Sequence, residues 1–250
     1  MTLLSMANGL LAGLGLELVR RKPEERLDFP PTAEERAEVN RIIREFAARQ
    51  DPSKAAVSSA DQWAAYLGDI RLSFFAEFLQ LVLDRNIPLN HQRVADFGSG
   101  TGYLLRLIQR QAPEAELVGF DSFPEVNELA KMICPTATYY EHFDARHDRF
   151  DVIFCTEVLE HLKYPRQRLQ QLADRVDPGG RLILKVPNGR TDTHAAKNAR
   201  EDGTAYWGHC HFWSPESWPL FLEEAVGDRG RFEAGTLPSG GNWGIVTLNA

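Results

Sequence analysis

Cysteine is scarce in this chain of 250 residues: three, Cys134, Cys155 and Cys210, an odd number with no CxxC pair. That excludes a disulfide framework and points to a reducing compartment, the cytosol. Positive charge is also short, with 28 Lys and Arg against 35 Asp and Glu and a formal net charge of −7. A protein without a basic footprint is a poor partner for duplex nucleic acid; RNA held by a local patch stays open. No apolar run approaches the ~18–20 residues a membrane-spanning helix needs. The leucine-rich start, "MTLLSMANGLLAGLGLELVR", lacks a basic opening and a small-residue cleavage site, so no secretory signal is expected. It reads as a terminal helix docked on the domain or on a partner.

What is present divides at about residue 85. Before it the pattern is helical. In "FPPTAEERAEVNRIIREFAARQDPS", Pro30-Pro31 blocks any earlier turn and Thr32 with Glu35 forms a capping box. Val39, Ile42, Ile43 and Phe46 then share a face at helical spacing. A second helical region, 59–86, is rich in apolar side chains, Trp63, Tyr66, Phe74, Phe75 and Phe78 among them. Residues 1–85 are thus expected to form a helical N-terminal cap, and 86–250 the main domain. From Arg93 on, strands alternate with helices: "RVADFG", "YLLRLIQRQ", "AELVGF", "PEVNELAKMI", "ATYYEHF", "FDVIFCT", "PRQRLQQLADRV", "GRLILKVPN", "SPESWPLFLEEAV". Alternation of this kind implies right-handed crossovers and a parallel sheet. Ser214 is expected as the last helix's N-cap, with Pro215 at its first position and Ser217 where a capping box would want glutamate. "RFEAGTL" and "NWGIVTL" flank "PSGG", a hairpin signal that makes the final strand antiparallel.

In an open α/β sheet the ligand sits beyond the carboxyl ends of the strands. The turn in "VADFGSGTGYLL" is placed there, and its Gly98, Gly100 and Gly102 give Gly-x-Gly-x-Gly. The dinucleotide fingerprint is Gly-x-Gly-x-x-Gly, and here Tyr103 stands at its last position. Two acids narrow the choice. Asp96, ending the first strand, would repel a pyrophosphate and attract an ammonium group. Asp121, ending the second, can accept from both hydroxyls of a ribose. A ribose at one end, an amine at the other and no phosphate between them describes S-adenosylmethionine.

"VADFGSGTG", "LVGFDSF", "FDVIFCTEVLEHL" and "DPGGRLILKVPN", in this order, resemble the class I S-adenosylmethionine-dependent methyltransferases, nearest the ubiquinone-biosynthesis-like and small-molecule subgroup. The resemblance covers about residues 90–250 and implies a Rossmann-like sheet of seven strands ordered 3-2-1-4-5-7-6, the last antiparallel. It implies that Gly98, Ser99, Gly100 and Gly102 carry the methionine portion, with Asp96 at its amine. Asp121 would hold the ribose, Ser122 and Phe123 would flank the adenine, and Asp144, with Glu141 as competitor, would face the adenine amine. Thr156 and Glu157 would line the methionine side.

Methyl transfer from an activated sulfonium asks mainly for alignment, worth ~7–11 kcal/mol, with a general base adding ~10²–10⁴-fold where the acceptor must lose a proton. Histidine suits that task at neutral pH. His161, in "EVLEHL" with Glu157 and Glu160 at helix-like spacing, is one candidate; its plainer role is to start the next helix and bond a backbone group. His209 and His211, in "AYWGHCHFWSPESW", are the others. That stretch, with Tyr206, Trp207 and Trp213, reads either as an acceptor pocket or as an aromatic anchor for a lid. No metal is expected. His-Cys-His is too tightly spaced for a structural zinc site, and although Glu-x-x-Glu-His resembles metal ligands proposed in some ubiquinone-pathway O-methyltransferases, metal-free relatives carry the same string. The partner expected is a small-molecule methyl acceptor, oxygen being the atom methylated, and a homodimer is left open. The rival readings are a dinucleotide oxidoreductase, a non-catalytic cofactor-binding module, and a methyltransferase acting on protein or RNA.

Overall fold

The structure, a computed structural model, describes residues 32–49, 69–144, 148–195, 198–199, 203 and 205–250. The leucine-rich start and the positions of Trp63 and Tyr66 lie outside them. Helix α1 spans Ala33–Arg49 and α2 Asp69–Asp84. There follow β1 (Arg93–Phe97), α3 (Tyr103–Gln111), β2 (Glu116–Phe120), α4 (Pro124–Ile133), β3 (Thr138–Tyr140) and β4 (Phe150–Thr156). After β4 come α5 (Pro165–Ala173), β5 (Val176–Val186), α6 (Ser217–Val226), β6 (Gly230–Thr236) and β7 (Asn242–Leu248). The sheet has seven strands in the order β3-β2-β1-β4-β5-β7-β6. All pairs are parallel except β5–β7 and β7–β6, which is the order and the one reversal expected.

The central strands are apolar along nearly their whole length because helices cover both faces of a parallel sheet. Val94 and Ala95 of β1, Ile153, Phe154 and Cys155 of β4, and Leu182, Ile183 and Leu184 of β5 are fully buried. Helix α3 supplies Leu104, Leu105, Leu107 and Ile108 to the core, each worth ~1.5–3 kcal/mol on burial. Helix α1 packs against α4, and α2 against α3. Thr32 accepts the Glu35 amide at its Oγ1 at 3.1 Å, so half of the expected capping box is present. The Glu35 carboxylate leaves the box to pair with Arg110 at 2.7 Å.

Three local readings are corrected. The helix expected to open at Pro215 begins at Ser217. Ser214 nevertheless caps it: Ser214 Oγ accepts the Ser217 amide at 3.2 Å, and Ser217 Oγ accepts the Ser214 amide at 2.9 Å. Serine at the third position thus closes the reciprocal pair that glutamate usually closes. Strand β3 stops at Tyr140, short of the expected His142-Phe143. Leu159–His161 is a 3₁₀ turn rather than a helix, with Glu157 before it in the left-handed region at φ 57°.

Candidate functional site

A cavity of about 670 Å³ opens at the carboxyl ends of β1, β2 and β4, the position the topology predicts. The glycine turn forms its floor. Gly98 (φ 77°) and Gly102 (φ 74°) adopt left-handed backbone; a Cβ on the first would lie 2.2 Å from Val158 Cγ2 and on the second 2.4 Å from Tyr139 Oη. The amides of Gly98 and Ser99 both donate to the Phe120 carbonyl, at 2.8 and 3.0 Å, and that of Gly102 to the Ser99 carbonyl at 2.9 Å. The Gly100 amide donates to Asp121 Oδ2 at 3.0 Å. A phosphate would need such amides pointing at it. Here two are consumed by the end of β2 and one inside the turn, and the fourth is taken by the Asp121 carboxylate.

Asp96, 2% exposed, lines the cavity. Burial, and secondarily the neighbouring Asp121, push its carboxyl up to about 8. Asp96 Oδ1, Ser99 Oγ and Thr156 Oγ1 are buried and lack a hydrogen-bond partner among the described residues, and all three residues line the cavity. Orphaned groups of this kind are rare unless a ligand satisfies them. Asp121 is held by the Phe123 amide on Oδ1 at 3.0 Å, which fixes its rotamer at the cavity wall. Ser122, Phe123 and Glu141 line the same wall. The donor set therefore fits S-adenosylmethionine: ribose on Asp121, methionine amine on Asp96.

Asp144 lines the cavity, but Arg168 of α5 holds both its oxygens, at 2.6 and 3.1 Å. A carboxylate so engaged is a weaker anchor for the adenine amine than the resemblance implied, and Glu141 carries no such bidentate clamp. Glu157 lines the cavity too, but its Oε1 lies 2.6 Å from Lys185 Nζ. Lys185 is 1% exposed, and its ammonium sits 3.3 Å from the Phe74 ring centroid, joining α2 to the ends of β4 and β5. Glu157 is thus engaged by Lys185 and stands before the 3₁₀ turn in left-handed backbone, so the three residues do not share one helix.

Of the three histidines, His161 alone lines the cavity, beside Val158, Leu162 and Tyr164. Its Nδ1 lies 2.7 Å from the Gly208 carbonyl; since a carbonyl only accepts, Nδ1 carries a proton there. His209 stands behind it, ring centroids 4.7 Å apart, with Nδ1 2.5 Å from Asp192 Oδ2. Burial opposes the Asp192 charge, but hydrogen bonds from the His194 amide and from His209 hold its carboxyl below the usual range. His211 is drawn off: Nε2 donates to the Leu162 carbonyl at 2.9 Å and the ring stacks on Trp213.

Of the residues singled out in the stretch 205–213, His209, His211 and Trp213 do not line the cavity. Ala205 and Gly208 line the cavity. Trp213 packs on Trp218 and Phe221, while the Cys210 and His211 amides both donate to the Glu160 carbonyl, at 2.8 and 3.2 Å. The segment is stitched onto the turn after β4. The side chains of Tyr206 and Trp207 lie outside the described residues. Reasoning from sequence missed Lys185, Asp192 and Arg168, each joined to its partner across 17 to 28 residues of chain. Glu160, named from the sequence only as a neighbour of His161, is 0% exposed with both carboxylate oxygens lacking a hydrogen-bond partner among the described residues, its carboxyl raised well above the ordinary value by burial and then by Glu157.

Comparison with known proteins accords with this geometry. Trans-aconitate 2-methyltransferase of Streptomyces avermitilis is 34% identical over 160 residues, 59% of this chain and 57% of that protein. Ubiquinone biosynthesis O-methyltransferase of Vibrio cholerae is 31% identical over 119 residues, 44% of this chain and 48% of that one. The tRNA U34 carboxymethyltransferase of Sulfurimonas denitrificans is 34% identical over 111 residues, 41% and 37%. The chain therefore spans about half or less of the length of most such relatives. Among solved structures, the plantazolicin methyltransferase BpumL in complex with SAH superimposes with a TM-score of 0.59 at 15% identity, over 87% of this chain and 98% of that one. At that identity the likeness speaks for the fold alone. The family model described as a methyltransferase domain matches residues 33–225. This chain belongs to the methyltransferase domain family and has the class I S-adenosylmethionine-dependent methyltransferase fold.

Proposed function

We propose that the chain methylates an oxygen of a small, partly apolar molecule. The observation that carries this reading is the composition of the cavity wall beyond the cofactor residues: apolar Phe75, Val158, Leu162 and Tyr164, with His161 as the imidazole among them. The volume lies within the usual ~300–1,000 Å³ of small-molecule sites. The chemistry that bound S-adenosylmethionine would supply there is an activated methyl group, transferred to the acceptor oxygen with the carbon–sulfur electron pair left on sulfur.

The chain's own contribution is alignment and proton removal. Asp96 would hold the cofactor's amine and Asp121 its ribose. The region before β1 closes the acceptor side through Phe75, which meets Tyr103 at 6.1 Å between ring centroids. His161, bonded to the Gly208 carbonyl through Nδ1, is the base that takes an acceptor proton; His209 with Asp192 supports it as positioning residues. His211 is a packing residue in this scheme. The net charge of −7 supports a metabolite over RNA.

The test is transfer of label from methyl-labelled S-adenosylmethionine to a panel of phenols, aliphatic alcohols and carboxylic acids, with bulk tRNA and protein in parallel. Label in methyl ethers or esters, lost in His161→Ala while cofactor affinity holds within ~3-fold, is the expected result. Label confined to the RNA or protein fraction overturns the reading.

A further inference from the structure

A buried lysine stands behind the cofactor side of the cavity, where alignment and proton removal have no use for it. Lys185, next to last in β5, is 1% exposed. Its ammonium is bordered by Glu157 Oε1 at 2.6 Å, by the Phe74 ring centroid at 3.3 Å, and by Gly241, where a Cβ would lie 2.6 Å from Nζ. The Glu157 amide also donates to the Lys185 carbonyl at 2.9 Å. Burying an ammonium with a carboxylate is costly, and apolar side chains of the same volume often serve stability as well or better. The pair therefore asks for another reason.

The backbone supplies a second observation. Among the described residues, the non-glycine positions with positive φ are Asn86, His91 and Glu157. Asparagine and histidine tolerate that region, and neither of those two lines the cavity. Glu157, at φ 57°, does line it. Strained backbone concentrates where a side chain must be presented to a ligand, and the side chain presented here is a carboxylate already held by Lys185.

The ligand's charge connects the two. S-adenosylmethionine and its demethylated product, S-adenosylhomocysteine, differ at sulfur by one methyl group and one positive charge. The family resemblance assigns Glu157 to the methionine side of the cavity. A lone carboxylate there would stabilise the sulfonium before transfer, and because that charge disperses in the transition state, the stabilisation would slow the reaction. Glu160, the other acid of this turn, does not take that part: burial, and then Glu157, hold its carboxyl well above the ordinary carboxylate range.

We infer that Lys185 is a positioning residue of the cofactor site: it fixes the Glu157 carboxylate, balances its charge beside the sulfur, and so sets how strongly the chain discriminates S-adenosylmethionine from S-adenosylhomocysteine. Lys185 does not itself line the cavity and acts through Glu157. The inference concerns the cofactor half of the site and does not rest on the acceptor proposed above.

The test is calorimetric titration of the full chain with each of the two ligands at about pH 8 and low salt. Lys185→Met, which leaves the carboxylate uncompensated, should shift the ratio of the two dissociation constants about 5–30-fold toward S-adenosylmethionine. Glu157→Gln, which leaves the ammonium uncompensated, should shift it toward S-adenosylhomocysteine by a comparable factor. The double variant should return to within ~3-fold of wild type, as a coupled pair does. A ratio unmoved in both single variants, or both ligands weakened alike, overturns the inference and leaves the pair a structural strut. Circular dichroism checks each fold; if Lys185→Met fails to fold, Glu157→Gln decides alone, an unmoved ratio there overturning the inference. No acceptor is present in these titrations, so their failure leaves the proposed function standing. Label transfer confined to RNA or protein would overturn that proposal without touching this one.

Discussion

Asp96 is asked to be two things at once. It must be charged to hold the cofactor's ammonium, yet its site is 2% exposed and shared with Asp121, which favours the neutral acid. Asp96→Asn keeps the volume and removes the conflict. The cofactor-free variant should therefore be more stable than wild type at pH 8.5 by about 1–3 kcal/mol, and should bind S-adenosylmethionine ~10–100-fold more weakly, the loss of one charge-assisted hydrogen bond. Urea unfolding and calorimetry measure the two, and unaltered affinity would remove Asp96 from the amine. Gly102 poses a simpler demand. An alanine there meets both a left-handed backbone and Tyr139 Oη at 2.4 Å. Gly102→Ala should destabilise by about 2–3 kcal/mol, and adding Tyr139→Phe should return only part, because the backbone strain of ~1–2 kcal/mol remains. These residues were legible in the sequence because their meaning is local: glycines at fixed spacing, an acid at each strand end. Asp144 was not, because the arginine that clamps it arrives on a helix 24 residues away.

Among the elements, the turn after β4 departs furthest from its sequence signal. "EVLEHL" has helical spacing, yet Glu157 takes φ 57° and the pattern collapses to a single 3₁₀ turn. What overrides propensity is a tertiary pair. Lys185, buried at the end of β5, draws the Glu157 carboxylate to 2.6 Å and stacks under Phe74 of α2. Breaking a buried pair from one side costs ~3–5 kcal/mol. The Glu157 side chain is 20% exposed, so Lys185→Met should lose about 2–3 kcal/mol in urea unfolding, and the Glu157→Gln background should recover about half. Equal losses in both backgrounds would mean that Phe74, not the carboxylate, is the partner that matters. Which segments are strands and which face of each helix is apolar were readable from period, since buried parallel strands and amphipathic helices repeat differently, while the order of the strands came from the family resemblance. Where an element is bent to serve the site, the cause lies in charges distant along the chain, and no window of sequence holds both partners.

For the whole molecule, the charge state of one buried acid couples folding to cofactor binding. Asp96 titrates near 3.8 in an ordinary setting and at about 8 here. At neutral pH the folded, cofactor-free chain therefore holds a proton that the unfolded chain has released. Its contribution to stability is fully present below pH 4 and is lost as pH rises toward 8. Cofactor binding runs the other way. The ammonium needs the ionised carboxylate, so below pH 8 binding expels that proton, and apparent affinity should rise about tenfold per pH unit between 6 and 7.5. At a fixed S-adenosylmethionine concentration that saturates at both pH values, the ligand stabilises by RT ln(1 + [L]/Kd). The 1.5-unit step then adds ~2 kcal/mol, which for a chain of this size is a further rise of roughly 4–8 °C in Tm. Thermal shifts at pH 6.0, 6.75 and 7.5, with and without cofactor, measure this directly. Wild type should gain more from the cofactor at each step, and Asp96→Asn should respond equally at all three. A wild-type shift that is flat with pH would place the ammonium on some other group and return Asp96 to the role of a buried structural acid.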